Sequence, residues 1–528
     1  MKYQFVLKIL SLLLTLTFLF SACGTTQEQN AASLPTTDSA NLSAETVTLP
    51  YSKDDGFNPY LTTNILTMQN AGLLFCKILT INPSFNLEYE AAASVTVSGT
   101  TVTIAPSSSC RFSNGAAVTA QDILTSLNLA WQSESYRGRF VNVGTIEQSG
   151  NQVIITLIEP DSMFAYLLDL PVLNTNDAYS TQPMSSGRYT YGGNGLVPNP
   201  YYAGTLNVQE IVLTNLTGYD SLVSNLNIGN ISILDSEGKS DISSSTATRQ
   251  SNYKLNHMVF LGLNSQGTYY VNKDVDGVVL SVEDLSTVGQ KFLANASARN
   301  AISQLISRQL LSEKGYYGKA YPALGVINSL YPCVIAQQTI SGQSNTDTAI
   351  AAIEALGYTK HELDGFYYDA RDRRLSLRLL CYAGNSYKRY TAQLIKEQLS
   401  AIGIEVVLEE TDNFETYTQK IASKQFDMYI GEVKLYNNMD MSPFFADTGA
   451  AQYGLTLSAA LLESYAAFKA DATTAPAFEQ VFAAEMPFIP LVWTNGVVFH
   501  SKSISGLTAT LSDIFYNFGE VQVAAAAN

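Results

Sequence analysis

Residues 110–130, CRFSNGAAVTAQDILTSLNLA, combine a turn with a capped helix, and the rest of the chain can be interpreted outward from them. Asn114 and Gly115 favour the turn because both residue types tolerate positive φ. Thr119 is placed to begin the helix, since its hydroxyl can accept a hydrogen bond from the backbone N–H near Asp122. The apolar residues that follow have the spacing of one buried helix face: Ile123, Leu124, Leu127, Ala130 and Trp131. The stretch therefore predicts a turn and a helix that docks on a hydrophobic core.

The composition bounds the class of protein. The chain has 528 residues, of which 46% are hydrophobic and only 14% are charged. A chain of this length and composition is expected to fold into two or more lobes with sizeable cores, and neither disorder nor a coiled coil fits it. The formal net charge is -16. Nucleic acid is therefore not an expected partner, because its phosphates require a positive field.

The motifs of common enzymes are missing from the sequence. There are three histidines, and no HExxH, GxSxG, P-loop or GxGxxG pattern occurs. Adjacent carboxylates such as Glu409 and Glu410 would point to opposite faces of a strand, so they are not a natural acid and base pair. We therefore expect no enzymatic activity, no cofactor and no metal site.

The N-terminus has the pattern of an export signal. Residues 1–22 carry Lys2 and Lys8 and then an apolar run that ends in small residues. About a dozen apolar residues are too few to span a bilayer, which needs about 20, so a signal peptide is predicted. The sequence FSAC at residues 20–23 resembles a bacterial lipobox, which implies lipidation of Cys23. Residues 23–45 are mostly polar and small, and they predict a flexible tether.

If Cys23 is consumed by lipidation, four cysteines remain: Cys76, Cys110, Cys333 and Cys381. None forms a CxxC pair, and four thiols allow three disulfide pairings. Buried free thiols are an equally acceptable interpretation.

Several further elements are predicted from periodicity. Residues 46–51 and 258–264 have the pattern of strands, and residues 375–408 have the pattern of a strand, a helix and a second strand. Residues 163–168 predict an amphipathic helix. The helix in residues 299–311 has an apolar stripe, and Arg308 is expected on its opposite side.

The motif in the opening stretch resembles that of family 5 of the extracellular solute-binding proteins, the oligopeptide and dipeptide receptors of ABC importers. Phe112, Asn114-Gly115, Val118-Thr119-Ala120 and Asp122 carry this resemblance. Residues 398–406 and 485–491 are similar to two further phrases of the family. The resemblance implies an α/β, two-lobe periplasmic-binding-protein-like fold (type II, cluster C) with an extra subdomain in the first lobe.

The resemblance also implies a division of the chain. Residues 46–257 are expected to form lobe I, including the extra subdomain at about 70–175. Residues 258–484 are expected to form lobe II, and residues 485–528 to return to lobe I. A lobe pair of this kind closes on its ligand by a hinge motion.

The implied function is that of a substrate-binding lipoprotein. It would capture peptides or similar small solutes outside the membrane and deliver them to the permease subunits of an ABC transporter. The protein is then expected to be a monomer that is anchored to the cell membrane by its N-terminal lipid. The alternatives are an oligosaccharide or a metal chelate as the ligand of the same fold, or a lipid-anchored glycan hydrolase.

Four candidate ligand-binding residues follow from the resemblance. Asn58 and Tyr60 lie in a passage that resembles the loop after the family's first strand, whose neighbours face the cleft. Tyr436 matches an aromatic position of peptide-binding relatives, and Asp440 lies near the carboxylate that holds a peptide's α-amino group. The spacing places that carboxylate on Met439, one residue earlier, and a helix cap is the alternative role of Asp440.

Overall fold

A computed structural model describes residues 46–236, 245, 248–275, 277–334 and 339–524. The predicted signal peptide, the predicted tether and Cys23 lie outside the described residues. The helices of the described part are α1 (Ile65–Leu74), α2 (Ala120–Gln132), α3 (Tyr219–Asn227), α4 (Val288–Leu293), α5 (Ala296–Leu305), α6 (Arg308–Leu310), α7 (Thr346–Ala355), α8 (Ser386–Ile402), α9 (Phe414–Ala422), α10 (Ser442–Phe445), α11 (Ala459–Ala470) and α12 (Ala475–Glu485).

The strands before the centre of the chain are β1 (Thr46–Tyr51), β2 (Leu79–Ile81), β3 (Leu87–Tyr89), β4 (Ala92–Ser98), β5 (Thr101–Pro106), β6 (Val143–Ser149), β7 (Gln152–Leu157), β8 (Tyr189–Gly192), β9 (Gly195–Pro198), β10 (Glu210–Asn215) and β11 (Ile233–Asp235). The later strands are β12 (Thr248–Leu263), β13 (Tyr269–Lys273), β14 (Val279–Asp284), β15 (Ala320–Pro322), β16 (Thr359–Lys360), β17 (Tyr367–Tyr368), β18 (Ser376–Tyr382), β19 (Glu405–Thr411), β20 (Met428–Lys434), β21 (Ile489–Ser501), β22 (Ile504–Ser505) and β23 (Gln522–Val523).

Three larger sheets hold most of these strands, and the others form the two-stranded pairs β2-β3, β13-β14, β16-β17 and β22-β23. Two four-stranded sheets have the orders β1-β10-β9-β8 and β4-β5-β7-β6, and a seven-stranded sheet has the order β11-β21-β12-β20-β18-β19 with β15 on β21. In the seven-stranded sheet β18 pairs in parallel with β19 and β20, whereas β12 is antiparallel to β20 and β21. Mixed pairing of this kind fits an α/β fold with helices packed on the sheet.

Two large hydrophobic cores share the long strands β12 and β21. Tyr253 and Leu255 of β12 pack in the first core, which includes β1 and the sheet of β4–β7, while Met258 packs in the second core. The pairing of β12 with β21 shifts register between Lys254 and Met258. Such an irregularity bends a strand and turns its side chains, so β12 changes core at this point.

The return crossing lies in β21. Trp493 packs in the second core and Val498 in the first. The change of core in β21 therefore falls between Trp493 and Val498, and the return of residues 485–528 to lobe I stays a prediction. Two long strands therefore cross between the cores.

The stretch that opened the sequence analysis folds as predicted. Gly115 has a φ of 89°, in the left-handed region that favours glycine. Thr119 caps α2: its hydroxyl accepts from the N–H of Asp122 at 3.3 Å, and the carboxylate of Asp122 accepts from the N–H of Thr119 at 2.9 Å. The reciprocal pair is a capping box. Ile123, on the apolar face, is fully buried.

The predicted strand, helix and strand of residues 375–408 are also observed as β18, α8 and β19. The predicted helix at residues 163–168 is wrong in type, because the structure has only a short 3-10 turn, Phe164–Leu167. Its apolar residues are buried in both cores, so packing rather than helical periodicity explains the pattern.

Arg308 does not lie on an exposed helix face. α5 ends at Leu305, Ile306 is extended with ψ 112°, and Ser307 caps a new turn, α6. This break rotates Arg308 inward, where it is 1% exposed. Its guanidinium donates to the carbonyl oxygens of Pro490 at 2.8 Å and Ser303 at 3.1 Å. Carbonyl groups thus satisfy the buried cation.

Candidate functional site

Two cavities lie between groups that belong to the two cores, and they share Arg139. The β12 cavity, of about 310 Å³, is lined by Tyr253, Leu255 and His257 of β12 together with residues from several other segments. The Asp440 cavity, of about 460 Å³, is lined on one side by residues 138–167 and on the other by residues 436–469. Both volumes are within or close to the range of small-molecule sites. The two cavities form the candidate site.

Arg139 is the charged group common to both cavities. It lies in a 3-10 turn after α2, Arg137–Phe140, and pairs with the carboxylate of Asp169, which is 3% exposed. Its Nη1 also donates to the carbonyl of Leu167 at 3.1 Å, and its guanidinium lies 5.2 Å from the ring centre of Tyr136. Burial lowers the pKa of Arg139, but the charge of Asp169 and the neighbouring tyrosines raise it, with a net upward shift. The site therefore carries a fixed positive group with a defined orientation.

Asp161 and Lys469 form the wall of the Asp440 cavity. Lys469 Nζ lies 2.7 Å from Asp161 Oδ1, and the side chains are 15% and 2% exposed. Asn438 Nδ2 donates to Asp161 Oδ2 at 2.6 Å, and Lys469 Nζ donates to the carbonyl of Asn438 at 3.2 Å. This network joins the segment after β7 to the end of α11. It holds the two sides of the cavity together.

Asn438 keeps one acceptor unused. Its Oδ1 is buried and has no hydrogen-bond partner among the residues that the structure describes. A buried polar atom without a partner costs free energy. Asn438 lines the Asp440 cavity, but its Oδ1 is shielded from that cavity.

Tyr436 and Asp440 are brought together in the Asp440 cavity. Tyr436 is 43% exposed. Asp440 Oδ1 accepts from the N–H of Ser442 at 3.0 Å and from the hydroxyl of Tyr465 at 3.1 Å. The bond from Ser442 spans two residues at the start of α10. The N-cap of this helix is Met441, which makes no side-chain cap bond, so the alternative role of Asp440 as a helix cap is not observed. The carboxylate also borders the cavity, so a ligand contact stays a prediction.

Asn58 and Tyr60 line neither cavity, although Tyr60 packs against Tyr136 in the wall of the β12 cavity, with ring centres 5.3 Å apart. Asn58 is fully buried, and its Nδ2 donates to the carbonyls of Ala178 at 2.9 Å and Ser180 at 2.8 Å. Tyr60 is 4% exposed, and its hydroxyl donates to the carbonyl of Pro171. The structure thus gives these two side chains internal hydrogen bonds in place of the expected ligand contact, because the loop folds inward against residues 171–180.

His257 was not predicted as a site residue. It borders the β12 cavity beside the register shift of β12. Burial, together with the charge of Lys434 on the neighbouring strand, lowers its pKa to about 4, so the imidazole is neutral at neutral pH. Its position at the end of a polar stretch, directly before the apolar run 258–263, was the available signal. Arg139, Asp161 and Lys469 had no such signal, since only the tertiary fold brings them together.

No group of three or more His, Cys, Asp or Glu side chains in the described part of the chain is arranged to hold a metal ion. Within the same residues, no helix combines the length and the apolar character that a bilayer span needs.

The profile of the bacterial extracellular solute-binding proteins, family 5 middle, matches residues 87–453. A probable ABC transporter-binding protein of Deinococcus radiodurans is 24% identical over 131 residues, which are 25% of this chain and 22% of that protein. The match thus spans about a fifth of the length of this curated relative.

Solved structures of several binding proteins share the fold. The nickel ABC transporter protein of Bacillus halodurans is 16% identical with a TM-score of 0.71, and the alignment covers 91% of this chain and 100% of that one. The oligopeptide-binding protein AppA of Bacillus subtilis, in complex with a nonapeptide, is 15% identical with a TM-score of 0.54, and the alignment covers 91% and 99%. These similarities confirm the predicted α/β, two-lobe binding-protein fold. Because the family profile matches more than half of its residues, the chain belongs to family 5 of the bacterial extracellular solute-binding proteins.

Proposed function

We propose that this protein is the substrate-binding component of an ABC importer and captures a small solute between its two cores. The observation that carries the proposal is the pair of cavities that share Arg139 between groups of the two cores. A site between two lobes can be closed around a ligand by hinge motion, and the closed population then signals occupancy to a permease. Binding and release, without chemical change of the ligand, are the activity.

The hinge of this motion is formed by β12 and β21. The proposed lobes are residues 46–257 with the extra subdomain at about 70–175, residues 258–484, and the return of residues 485–528 to the first lobe. The register shift between Lys254 and Met258 supports a hinge here, since an irregular strand bends more readily than a regular one. The β12 cavity lies directly beside this hinge.

A peptide is the ligand class that the site favours. An extended peptide backbone can be held by hydrogen bonds that do not depend on its side chains. Arg139 offers a positive group for a carboxylate and Asp440 offers an acceptor for an amine, while Asn438 lines the wall beside them. Tyr436 adds an amphipathic surface beside them. The ligand-binding residues of the proposal are therefore Tyr436, Asp440, Asn438 and Arg139.

A metal chelate is the second candidate, and His257 is the observation that favours it. A neutral imidazole that borders the β12 cavity can complete the coordination of a metal whose other ligands belong to a chelator. Arg139 would then pair with a carboxylate of the chelator. An oligosaccharide has no comparable support.

A role as the substrate-binding component of an ABC importer implies a permease partner and a membrane anchor. ABC permease subunits are the proposed protein partner, and a lipid on Cys23 is the proposed membrane anchor of an extracytoplasmic monomer. Cleavage before Cys23 would remove the signal peptide, and residues 23–45 would act as the tether. Mass spectrometry of the protein from bacterial membranes tests the anchor: a diacylated N-terminal Cys23 supports it, and an unmodified cysteine contradicts it.

A thermal-shift screen tests the function. The protein without residues 1–23 is mixed with di- to hexapeptides, oligosaccharides and metal chelates. A ligand at 100 times its Kd adds about 2.7 kcal/mol to the free energy of unfolding, which raises Tm. A rise with peptides supports the first proposal, and a rise with chelates alone supports the second. Consumption of a ligand during the assay would contradict a receptor.

A further inference from the structure

Cys76 and Cys110 line one cavity in the first lobe, and its wall shares Lys77 and Asp513 with the β12 cavity. The Cys110 thiol is the neighbour that contributes most to the raised pKa of the Cys76 thiol. Cys76 is 5% exposed and Cys110 is half-buried. The cavity that both line has a volume of about 270 Å³, and Cys110 is the more exposed of the two. The shared cavity brings together two of the four cysteines, for which the sequence alone allows three disulfide pairings.

Both residues are held in place by backbone contacts. Cys76 follows α1, its N–H donates to Ser186 Oγ at 3.1 Å, and its carbonyl accepts from the N–H of Val172 at 2.8 Å. The carbonyl of Cys110 accepts from the N–H of Val118 at 3.0 Å, across the turn that precedes α2. The proximity of the two thiols is therefore a feature of the folded core and does not depend on a free loop.

We propose that Cys76 and Cys110 are a redox-active pair that forms an intramolecular disulfide after export. Disulfides form and persist in extracytoplasmic compartments, and the family of this chain is extracellular. The inference does not depend on the identity of the solute. It selects one disulfide, Cys76 with Cys110, from the pairings that the sequence left open.

The oxidant is a disulfide of a thiol oxidoreductase or of a small thiol. Cys110 begins the reaction because it is the more exposed thiol: its thiolate attacks one sulfur of the oxidant, and a mixed disulfide forms as the oxidant's other sulfur leaves as a thiol. Cys76 then attacks the sulfur of Cys110 and displaces the second thiol of the oxidant. Two protein thiols and one disulfide become one protein disulfide and two thiols, so atoms and electrons balance.

The environment of Cys76 slows its reaction with thiols and disulfides other than Cys110. The neighbouring Cys110 thiol and burial raise the pKa of the Cys76 thiol well above its usual range. Cys76 therefore stays protonated and does not attack the external oxidant, and it reacts only with the adjacent mixed disulfide on Cys110. Burial likewise raises the pKa of Cys333 to about 11 and of Cys381 to about 12. These two thiols are expected to stay reduced.

The bond would close the loop from residue 76 to residue 110. This loop contains β2–β5, and it ends at residue 110, where the turn and capped helix of residues 110–130 begin. Closure removes conformations from the unfolded chain. For a loop of about 35 residues in a chain of this size, we expect Tm to rise by about 4 °C. The disulfide would therefore close a loop inside the proposed extra subdomain, directly after α1.

Peptide mass spectrometry of the full chain tests the pair. The exported protein is purified without reductant, treated with oxidised glutathione, denatured and alkylated with N-ethylmaleimide. We expect Cys76 and Cys110 in one cross-linked peptide that separates on reduction, while Cys333 and Cys381 are alkylated. Alkylation of both Cys76 and Cys110 after this treatment would overturn the bond.

Cysteine variants test whether the Cys76–Cys110 disulfide itself raises Tm. Cys110→Ser should leave Cys76 alkylated and remove the effect of reduction on Tm. The matched control Cys333→Ser, also a half-buried cysteine, should keep both the cross-link and the rise in Tm. If Cys110→Ser does not fold, the comparison of oxidised and reduced wild-type protein decides the matter. An unchanged Tm on reduction of the cross-linked protein would overturn the stabilising role.

Discussion

Nζ of Lys469 lies 2.7 Å from Oδ1 of Asp161, and this ion pair joins the end of α11 to the segment that follows β7. The carboxylate is 2% exposed. It therefore depends on Lys469 and Asn438 for compensation, because a buried charge without a partner is strongly unfavourable. The pair also forms one wall of the Asp440 cavity.

Lys469→Met tests this pair. Removal of the ammonium leaves the buried Asp161 carboxylate uncompensated, and we expect the free energy of unfolding to fall by about 3 kcal/mol. Urea denaturation measures the change. Lys420→Met is the control, since its ion pair with Glu409 is about a third exposed and should contribute no more than about 1 kcal/mol. Equal losses in the two variants would contradict the assigned role of the buried pair.

Arg139→Gln should weaken ligand binding. The substitution removes the one charged group that both cavities share, and loss of a charged hydrogen bond costs about 10- to 100-fold in affinity. Isothermal titration with the best ligand of the thermal-shift screen measures Kd. Arg371→Gln, at an exposed turn, is the matched control and should leave Kd unchanged. The proposal fails if Arg139→Gln binds as tightly as the control.

Asp440→Asn separates the two roles of Asp440. The amide keeps an acceptor for the N–H of Ser442 but lacks the negative charge. If the charge binds an α-amino group, affinity for peptides with a free N-terminus should fall about tenfold or more, while N-acetylated peptides bind the variant and the wild type alike. Calorimetric titration with matched peptide pairs provides the measurement. Equal affinities of both peptide forms in both proteins would leave Asp440 with its internal hydrogen bonds to Ser442 and Tyr465 alone.

Glu479 should make stability depend on pH. Its carboxylate accepts from the N–H groups of Val326 at 3.0 Å and Ile327 at 2.7 Å, and burial raises its pKa from the ordinary value of 4.5 to about 7. The folded state therefore holds its proton more tightly than the unfolded state. This stabilising contribution is complete below pH 4.5 and is lost as pH rises through about 7, a change of about 3 kcal/mol.

Urea denaturation from pH 4.5 to 8 measures this effect. Glu479→Gln cannot titrate, so its free energy of unfolding should fall less steeply with rising pH than that of the wild type. Parallel curves for the two proteins would show that the proton on Glu479 is not linked to folding.

Local chemistry explains which parts of the fold could be predicted. The capping box of Thr119 and Asp122 and the unit β18-α8-β19 follow from side chains that interact over a few residues, and the structure has them in place. Arg308 and residues 163–168 were assigned wrongly because core packing outweighs helical periodicity there. At both places burial, and not spacing, decides the conformation.

The candidate site shows the same division. Tyr436 and Asp440 were predicted and lie in one cavity, since their segment is short and continuous in the chain. Asn58 and Tyr60 come from a loop whose direction was unknown, and they turn inward. Arg139, His257 and Lys469 carry no motif of their own.

The sequence by itself determined the family, the two-lobe fold class and the local capped elements, because these depend on hydrophobic periodicity, turn residues and contiguous motifs. Only the tertiary structure decided which distant side chains come close together: Arg139 with Asp169, Asp161 with Lys469, and Cys76 with Cys110. Such pairs depend on how two cores and the strands between them pack. That packing is a sum of many small contacts, and no single stretch of sequence records it.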